Sequence, residues 1–135
     1  MKILIDTNIL ISAALNPTGT PYKAYIKAVS YPNKGILSET NIEELHRIFN
    51  RKFPNKLQAL DSFLASALLS MDVVPTPEIA ESTENKIRDV KDRPILRAAI
   101  AAEADLILTG DKDFLESGLQ KPKSVTAAEF LALSE

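Results

Sequence analysis

Four short, continuously apolar runs are spaced along this chain, and longer segments of helical period separate them. The runs are Lys2–Ile5, Gly35–Leu37, Asp105–Thr109 and Ser124–Val125. A strand covered on both faces is apolar throughout, whereas a strand with one face in water alternates apolar and polar residues. Strands that alternate with helices form βαβ units with right-handed crossovers. The pattern therefore predicts an α/β domain with three layers, α/β/α, around a short parallel sheet.

The segments between these runs carry recognisable helix starts. Thr20, followed by a proline, is typical of a cap and first turn. Thr40 with Glu43, and Thr126 with Glu129, have the spacing of capping boxes. Helices are predicted over residues 20–30, 38–53, 54–68, 95–104 and 127–133.

Size and composition indicate one domain over residues 1–135. The chain is 45% apolar, which is sufficient for one core, and it has no cysteine, which excludes disulfides, thiol nucleophiles and cysteine-ligated zinc. No apolar run reaches membrane-spanning length, and the first run is too short for a signal peptide, so we expect a cytoplasmic protein without a membrane partner. The net charge of −2 argues against binding nucleic acid through overall charge, although a local basic patch is compatible with it.

Asp6 stands between two apolar runs, in the stretch "ILIDTNILISAAL". Burying a lone carboxylate among apolar side chains is costly unless its charge is compensated. In open parallel sheets, functional groups gather beyond the carboxyl ends of the strands. Asp6 follows the first strand and Asp111 follows the strand "LILTG", so both are expected at one edge of the sheet. Asp92 begins the helix that feeds this later strand and is expected at the same edge.

The other acidic residues also have purely structural interpretations. Asp92 is a candidate helix cap, and either Asp111 or Asp113 is expected to cap the turn "KDFLESG". Glu44 lies at the margin of the apolar stripe of its helix. It either leans over the sheet edge or forms an exposed ion pair with Arg47.

Carboxylates that converge at one edge repel one another. At ~5 Å and an effective dielectric constant of about 20, each like-charged pair costs roughly 3 kcal/mol. A bound divalent cation removes this cost, and a site without histidine or cysteine suits Mg²⁺ or Mn²⁺. Such a site is suited to phosphodiester hydrolysis by a metal-activated water.

Four segments, "LIDTNILISAAL", "SETNIEELHRIF", "DVKDRPILRAAIAAEADLILTGDKDFL" and "SVTAAEFL", together resemble the PIN domain. They are most similar to the subgroup that contains toxins of toxin–antitoxin systems, and the resemblance spans nearly the whole chain. It implies a parallel sheet flanked by helices and a metal-dependent endoribonuclease that cleaves single-stranded RNA.

The same resemblance implies the roles of individual residues. The acidic quartet, which would be catalytic and metal-ligating, comprises Asp6, Glu44, Asp92 and Asp111. Asp113 matches a further, less uniform acidic position, Asn8 a residue that orients the first aspartate, and Thr109 a small hydroxyl residue near the site. Glu43 is the alternative to Glu44, and Asp89 lies outside the quartet.

The resemblance also implies an antitoxin protein as partner and a homodimer. The segment 57–71 carries apolar residues over more than one stripe, which favours an interface unless neighbouring helices cover both sides. Arg47 and Arg51 follow Glu44 on nearly the same helix face. Together with Lys112 they are candidate contacts for RNA phosphates, with a solvated face of local ion pairs as the alternative.

Two other enzyme and binding classes fit less well. A haloacid-dehalogenase-like phosphatase would have an aspartate at the position of Asn8. A phospho-accepting receiver domain would have paired acids after the first strand. A catalytically silent PIN module that binds RNA or protein stays open as an alternative.

Overall fold

The computed structural model describes residues 1–134. Its strands form one parallel sheet in the order β3-β2-β1-β4-β5. The strands are β1 (Lys2–Ile5), β2 (Lys34–Ser38), β3 (Met71–Val74), β4 (Leu106–Leu108) and β5 (Lys123–Val125). The chain winds outward from β1 to β3 and then returns to the other side of β1. This change of direction leaves a crevice between the carboxyl ends of β1 and β4.

Helices cover both faces of the sheet, which confirms the predicted α/β architecture. They are α1 (Thr7–Leu15), α2 (Thr20–Val29), α3 (Glu39–Lys52), α4 (Leu57–Ser70), α5 (Arg93–Ala101), α6 (Lys112–Leu115) and α7 (Ala127–Ala132). Short 3₁₀ helices occupy Pro54–Lys56, Ser82–Lys86 and Val90–Asp92. Within residues 1–134, no helix has both the length and the apolarity needed to cross a bilayer.

Alternate residues of β1 pack into two separate cores. Ile3 and Ile5 lie in the core under α1, α2, α3, α4 and α7, where Phe49 is fully buried. Leu4 lies in the core on the opposite face, under α5 and α6, with Phe114. Because β1 is covered on both sides, its run is continuously apolar, as predicted.

Two elements differ from the sequence-based expectation. The apolar pattern does not predict α1, and it places Met71 at the end of a helix, whereas Met71 begins β3. This strand is at the edge of the sheet, and its exposed residue Asp72 interrupts the apolar run. An edge strand therefore lacks the signal by which the central strands were predicted.

The helix caps were predicted with mixed success. The capping box of Thr126 and Glu129 is confirmed. The prediction for α3 is wrong, because its capping box consists of Ser38 and Asn41, two residues earlier than expected. Thr20 is the first residue of α2 and not its cap, because the preceding glycine has that position.

The connection between β3 and α5 is held by a buried ion pair. Glu84 is only 3% exposed, and both of its carboxylate oxygens accept hydrogen bonds from Arg97 on α5, at 2.7 and 2.9 Å. A third nitrogen of Arg97 donates to the carbonyl oxygen of Pro77. These contacts fix the polar segment 75–92, which carries Asp89 and Asp92 to the carboxyl edge of the sheet.

Candidate metal centre

A cleft of about 180 Å³ lies at the crevice between β1 and β4. Its lining is dominated by carboxylates, with two isoleucine side chains as the apolar wall. The lining residues are Asp6, Thr7, Asn8, Ile11, Glu44, Ile48, Asp89, Asp92 and Asp111. The structure thus brings all four residues of the predicted quartet to one cleft.

Asp6 is the most buried carboxylate of the cleft, with 4% of its surface exposed. It ends β1 and caps α1, so its Oδ1 accepts the backbone N–H of Thr7 at 2.8 Å. Its Oδ2 accepts the hydroxyl of Thr109 at 2.8 Å. Burial, with smaller contributions from the negative charges of Glu44 and Asp111, raises the pKa of Asp6 to about 6 despite these hydrogen bonds. The buried carboxylate is therefore held in place but is electrostatically unfavourable when ionised.

Hydrogen bonds join the ends of β1 and β4 directly. The Thr109 hydroxyl, which donates to Asp6, also accepts the backbone N–H of Asp111 at 3.0 Å. Asn8 accepts the backbone N–H of Gly110 at 3.1 Å. Asn8 therefore holds the turn after β4, in place of the expected contact with Asp6, while Thr109 lies at the site as expected and orients the Asp6 carboxylate.

Asp92 and Asp111 meet across the cleft. Asp92 precedes α5 but makes no side-chain capping bond, so the structural interpretation of this residue as a helix cap is wrong. Burial, a side-chain hydrogen bond with Asp111 and the charges of Asp111, Asp6 and Asp89 together raise the pKa of Asp92 to about 8. Asp111 caps α6, because its Oδ1 accepts the backbone N–H of Asp113 at 2.9 Å.

A second group of carboxylates lies at the mouth of the cleft. One oxygen each from Asp89, Asp92 and Asp113 lies within 4.8 Å of the others, the only such acidic trio within residues 1–134. Asp113 also accepts a hydrogen bond from Arg88 Nε at 3.0 Å. The sequence pattern does not assign Asp89 to the acidic quartet. In the structure it precedes Asp92 by one turn of the 3₁₀ helix, and this spacing brings the two carboxylates together.

Glu44 and not Glu43 faces the cleft. The Glu44 side chain is 20% exposed and lines the cleft, whereas Glu43 is exposed on the outer face of α3. Arg47 approaches Glu44 at 3.9 Å, which is the exposed ion pair considered as an alternative. Arg51 and Lys112 are exposed and do not line the cleft.

The donors of the cleft suit a hard divalent cation. They are carboxylate, hydroxyl and amide oxygens, which are the ligands that Mg²⁺ and Mn²⁺ prefer. Burial, and to a smaller extent repulsion from neighbouring carboxylates, raises the pKa values of Asp6 and Asp92. A cation bound among them would remove that repulsion and favour the ionised forms.

The PIN domain family model matches residues 2–113 of this chain. The chain belongs to the PIN domain family. An uncharacterised protein of Methanocaldococcus jannaschii is 31% identical to this PIN domain over 120 residues, which cover 85% of the chain and 74% of the relative.

Two solved structures share the fold of this PIN domain. The first is VapBC2 from Rickettsia felis, bound to a DNA fragment from its promoter, with a TM-score of 0.69 and 17% identity, covering 93% of this chain and 98% of the other. The second is VapC20 from Mycobacterium tuberculosis, a sarcin–ricin loop cleaving toxin. It has a TM-score of 0.61 and 15% identity, and the match covers 87% of this chain and 95% of the other.

Proposed function

We propose that this PIN domain is a metal-dependent endoribonuclease that hydrolyses phosphodiester bonds of single-stranded RNA. The observation that carries the proposal is the buried Asp6, held by Thr109 and facing Glu44, Asp92 and Asp111 in one cleft. This arrangement is unfavourable without a cation and well suited to Mg²⁺ or Mn²⁺. The quartet would hold the metal, with Asp113 and Asp89 as further oxygen ligands at the mouth.

The residues of the chain itself position the reaction. Thr109 fixes one oxygen of Asp6, and the amide of Thr7 fixes the other, so this carboxylate is oriented before any ligand binds. Asp92 shares a hydrogen bond with Asp111, and its raised pKa favours the protonated form of this carboxyl in the metal-free cleft. When bound, the metal supplies an activated water and offsets negative charge on the leaving oxygen.

The biological role we propose is that of the toxin in a toxin–antitoxin pair acting in the cytoplasm. The support is the shared fold with VapBC2 and with VapC20, of which the second is a sarcin–ricin loop cleaving toxin. An antitoxin protein would then bind and silence the nuclease. Co-expression with a small neighbouring gene tests this role, and an absence of any co-purifying partner would favour a free-standing nuclease.

A homodimer belongs to the same proposal. Most of the apolar side chains of α4 pack into the core, but Leu68 and Leu69 are 42% and 90% exposed near its end. Exposed apolar residues of this kind are typical of an interface. Light scattering at micromolar concentration tests the dimer, and a monomeric mass would contradict it.

The central experiment measures cleavage of an end-labelled single-stranded RNA with Mn²⁺, with Mg²⁺ and with EDTA. We expect cleavage only with metal and none in the Asp6→Asn variant. Asp61→Asn, which changes an exposed carboxylate on α4, is the matched control and should keep full activity. Cleavage that persists in EDTA or in Asp6→Asn would refute the mechanism. Metal-dependent binding without cleavage would favour the silent module, and hydrolysis of a small phosphomonoester alone would favour a phosphatase.

A further inference from the structure

Two arginines flank the acidic cleft, one on each side of the sheet. Arg47 is on α3, which packs through Leu45 and Phe49 into the core under α1. Arg88 contacts α6, which packs through Phe114 into the opposite core. Each arginine lies against one carboxylate of the site, and the cleft therefore has a cationic group on both of its flanks.

The backbone at Arg88 is fixed by its neighbour, while the Arg88 guanidinium is accessible. The preceding residue, Ile87, is fully buried, whereas the Arg88 side chain is 68% exposed. Nε donates to Asp113 Oδ1 at 3.0 Å, and one terminal nitrogen donates to Glu116 at 3.5 Å. The second of these contacts is long, and the other terminal nitrogen makes no hydrogen bond within residues 1–134. Arg88 thus has donors available without losing its contact with Asp113.

An RNA substrate requires cations close to this cleft. The chain has a net charge of −2, and the cleft concentrates negative charge, which repels a polyanion at a distance. A guanidinium matches a phosphate through two parallel N–H···O bonds, a geometry that lysine does not provide. Asp113, which holds Arg88, lies within 4.8 Å of Asp89 and Asp92, so the guanidinium is adjacent to the mouth of the candidate metal centre.

We propose that Arg88 binds the RNA phosphate next to the scissile one on the α6 side of the cleft, opposite Arg47 on the α3 side. A single strand then crosses the sheet edge from one helical layer to the other. Arg88 keeps Nε on Asp113 and turns its terminal nitrogens from Glu116 to the phosphate. This inference rests on the proposed ribonuclease function, and it adds a substrate-binding residue that the sequence pattern did not indicate.

The test compares RNA binding by Arg88→Ala, Arg88→Lys and Lys86→Ala in the Asp6→Asn background, which removes cleavage. Lys86 is an exposed cation two residues away on the same segment and serves as the matched control. Affinity for a single-stranded RNA is measured across a salt titration. We expect Arg88→Ala to weaken binding about tenfold and to reduce the slope of log K against log salt by about 0.7. Arg88→Lys should retain the slope but recover only part of the affinity.

A second measurement separates substrate binding from a purely structural role. If Arg88 only positions Asp113, Arg88→Ala will change the Mn²⁺ dependence of thermal unfolding and leave the salt slope for RNA unchanged, which would overturn the proposal. Equal losses of RNA affinity in Lys86→Ala and Arg88→Ala would overturn the proposal as well, because they would indicate a non-specific effect of positive charge. If the wild-type protein cleaves RNA and only the Arg88 expectation fails, the proposed function stands; if the wild type neither binds nor cleaves RNA, both fail.

Discussion

Replacing Asp6 by asparagine is expected to stabilise the metal-free protein at alkaline pH while abolishing cleavage. Burial raises the pKa of Asp6 from 3.8 to about 6, so ionising this carboxyl is harder in the folded state than in the unfolded chain. A difference of about two pH units corresponds to about 3 kcal/mol of stability lost once the group is ionised in both states. Asparagine carries no charge and avoids this loss.

The substitution also lowers the free energy of unfolding through a lost hydrogen bond, which reduces the net stabilisation. The amide of asparagine has only one acceptor oxygen, so it cannot accept from both Thr7 and Thr109 as the carboxylate does. One lost hydrogen bond costs about 1 kcal/mol. The net stabilisation is therefore about 2 kcal/mol, or a rise in Tm of about 6 °C for a chain of this size.

The assay is thermal or urea unfolding in EDTA as a function of pH. The stability associated with the raised pKa is fully present below about pH 4 and is lost as the pH rises through about 6. The advantage of Asp6→Asn should therefore be absent near pH 4 and complete above pH ~7, whereas Asp61→Asn should show no such dependence. Adding Mn²⁺ should stabilise the wild-type protein at high pH and have little effect on the stability of Asp6→Asn. An Asp6→Asn variant that is less stable than wild type in EDTA at high pH would refute the reasoning.

Two further predictions concern neighbouring residues of the cleft. Glu44→Gln should reduce metal-dependent cleavage at least tenfold, on the order of one lost ligand interaction, because Glu44 lines the cleft. Glu43→Gln, on the exposed face of α3, should retain activity. Equal losses of cleavage in the two variants would contradict the assignment of Glu44 to the cleft. Thr109→Val should destabilise the protein by about 1–2 kcal/mol in urea unfolding, because Asp6 loses a hydrogen-bond donor and the Asp111 amide loses its acceptor. The same substitution should raise the Mn²⁺ concentration needed for half-maximal activity. An unchanged metal requirement would show that Thr109 does not orient Asp6.

The sheet edge was predictable because its signals are local. The central strands are continuously apolar, and an aspartate directly follows β1 and nearly follows β4, so strand prediction alone places these carboxylates together. The edge strand β3 lacks that signal, since its outer residues are in water. The capping box of α3 was misplaced because Ser38 and Asn41 have the same spacing as Thr40 and Glu43.

The mouth of the cleft was less predictable because its contacts join distant segments. Arg88 and Asp113 are 25 residues apart, and neither neighbouring sequence distinguishes this pair from ordinary surface charges. Asp89 was similarly indistinguishable from the other exposed acids of a polar segment. Its place near Asp92 depends on the 3₁₀ helix and on the buried contact of Glu84 with Arg97, which only the folded chain reveals.

The hydrogen bond between Thr109 and Asp6 joins residues 103 positions apart, and this separation governs when the site forms during synthesis. Translation produces β1 with Asp6 first, and domains fold as units once their parts have emerged. A nascent chain that ends before β4 has neither the Thr109 donor nor the Asp111 carboxylate, and β1 still lacks one of its two neighbours in the sheet. A chain that ends before β4 therefore has no assembled cleft, and any chemistry of this site has to await the synthesis and docking of β4.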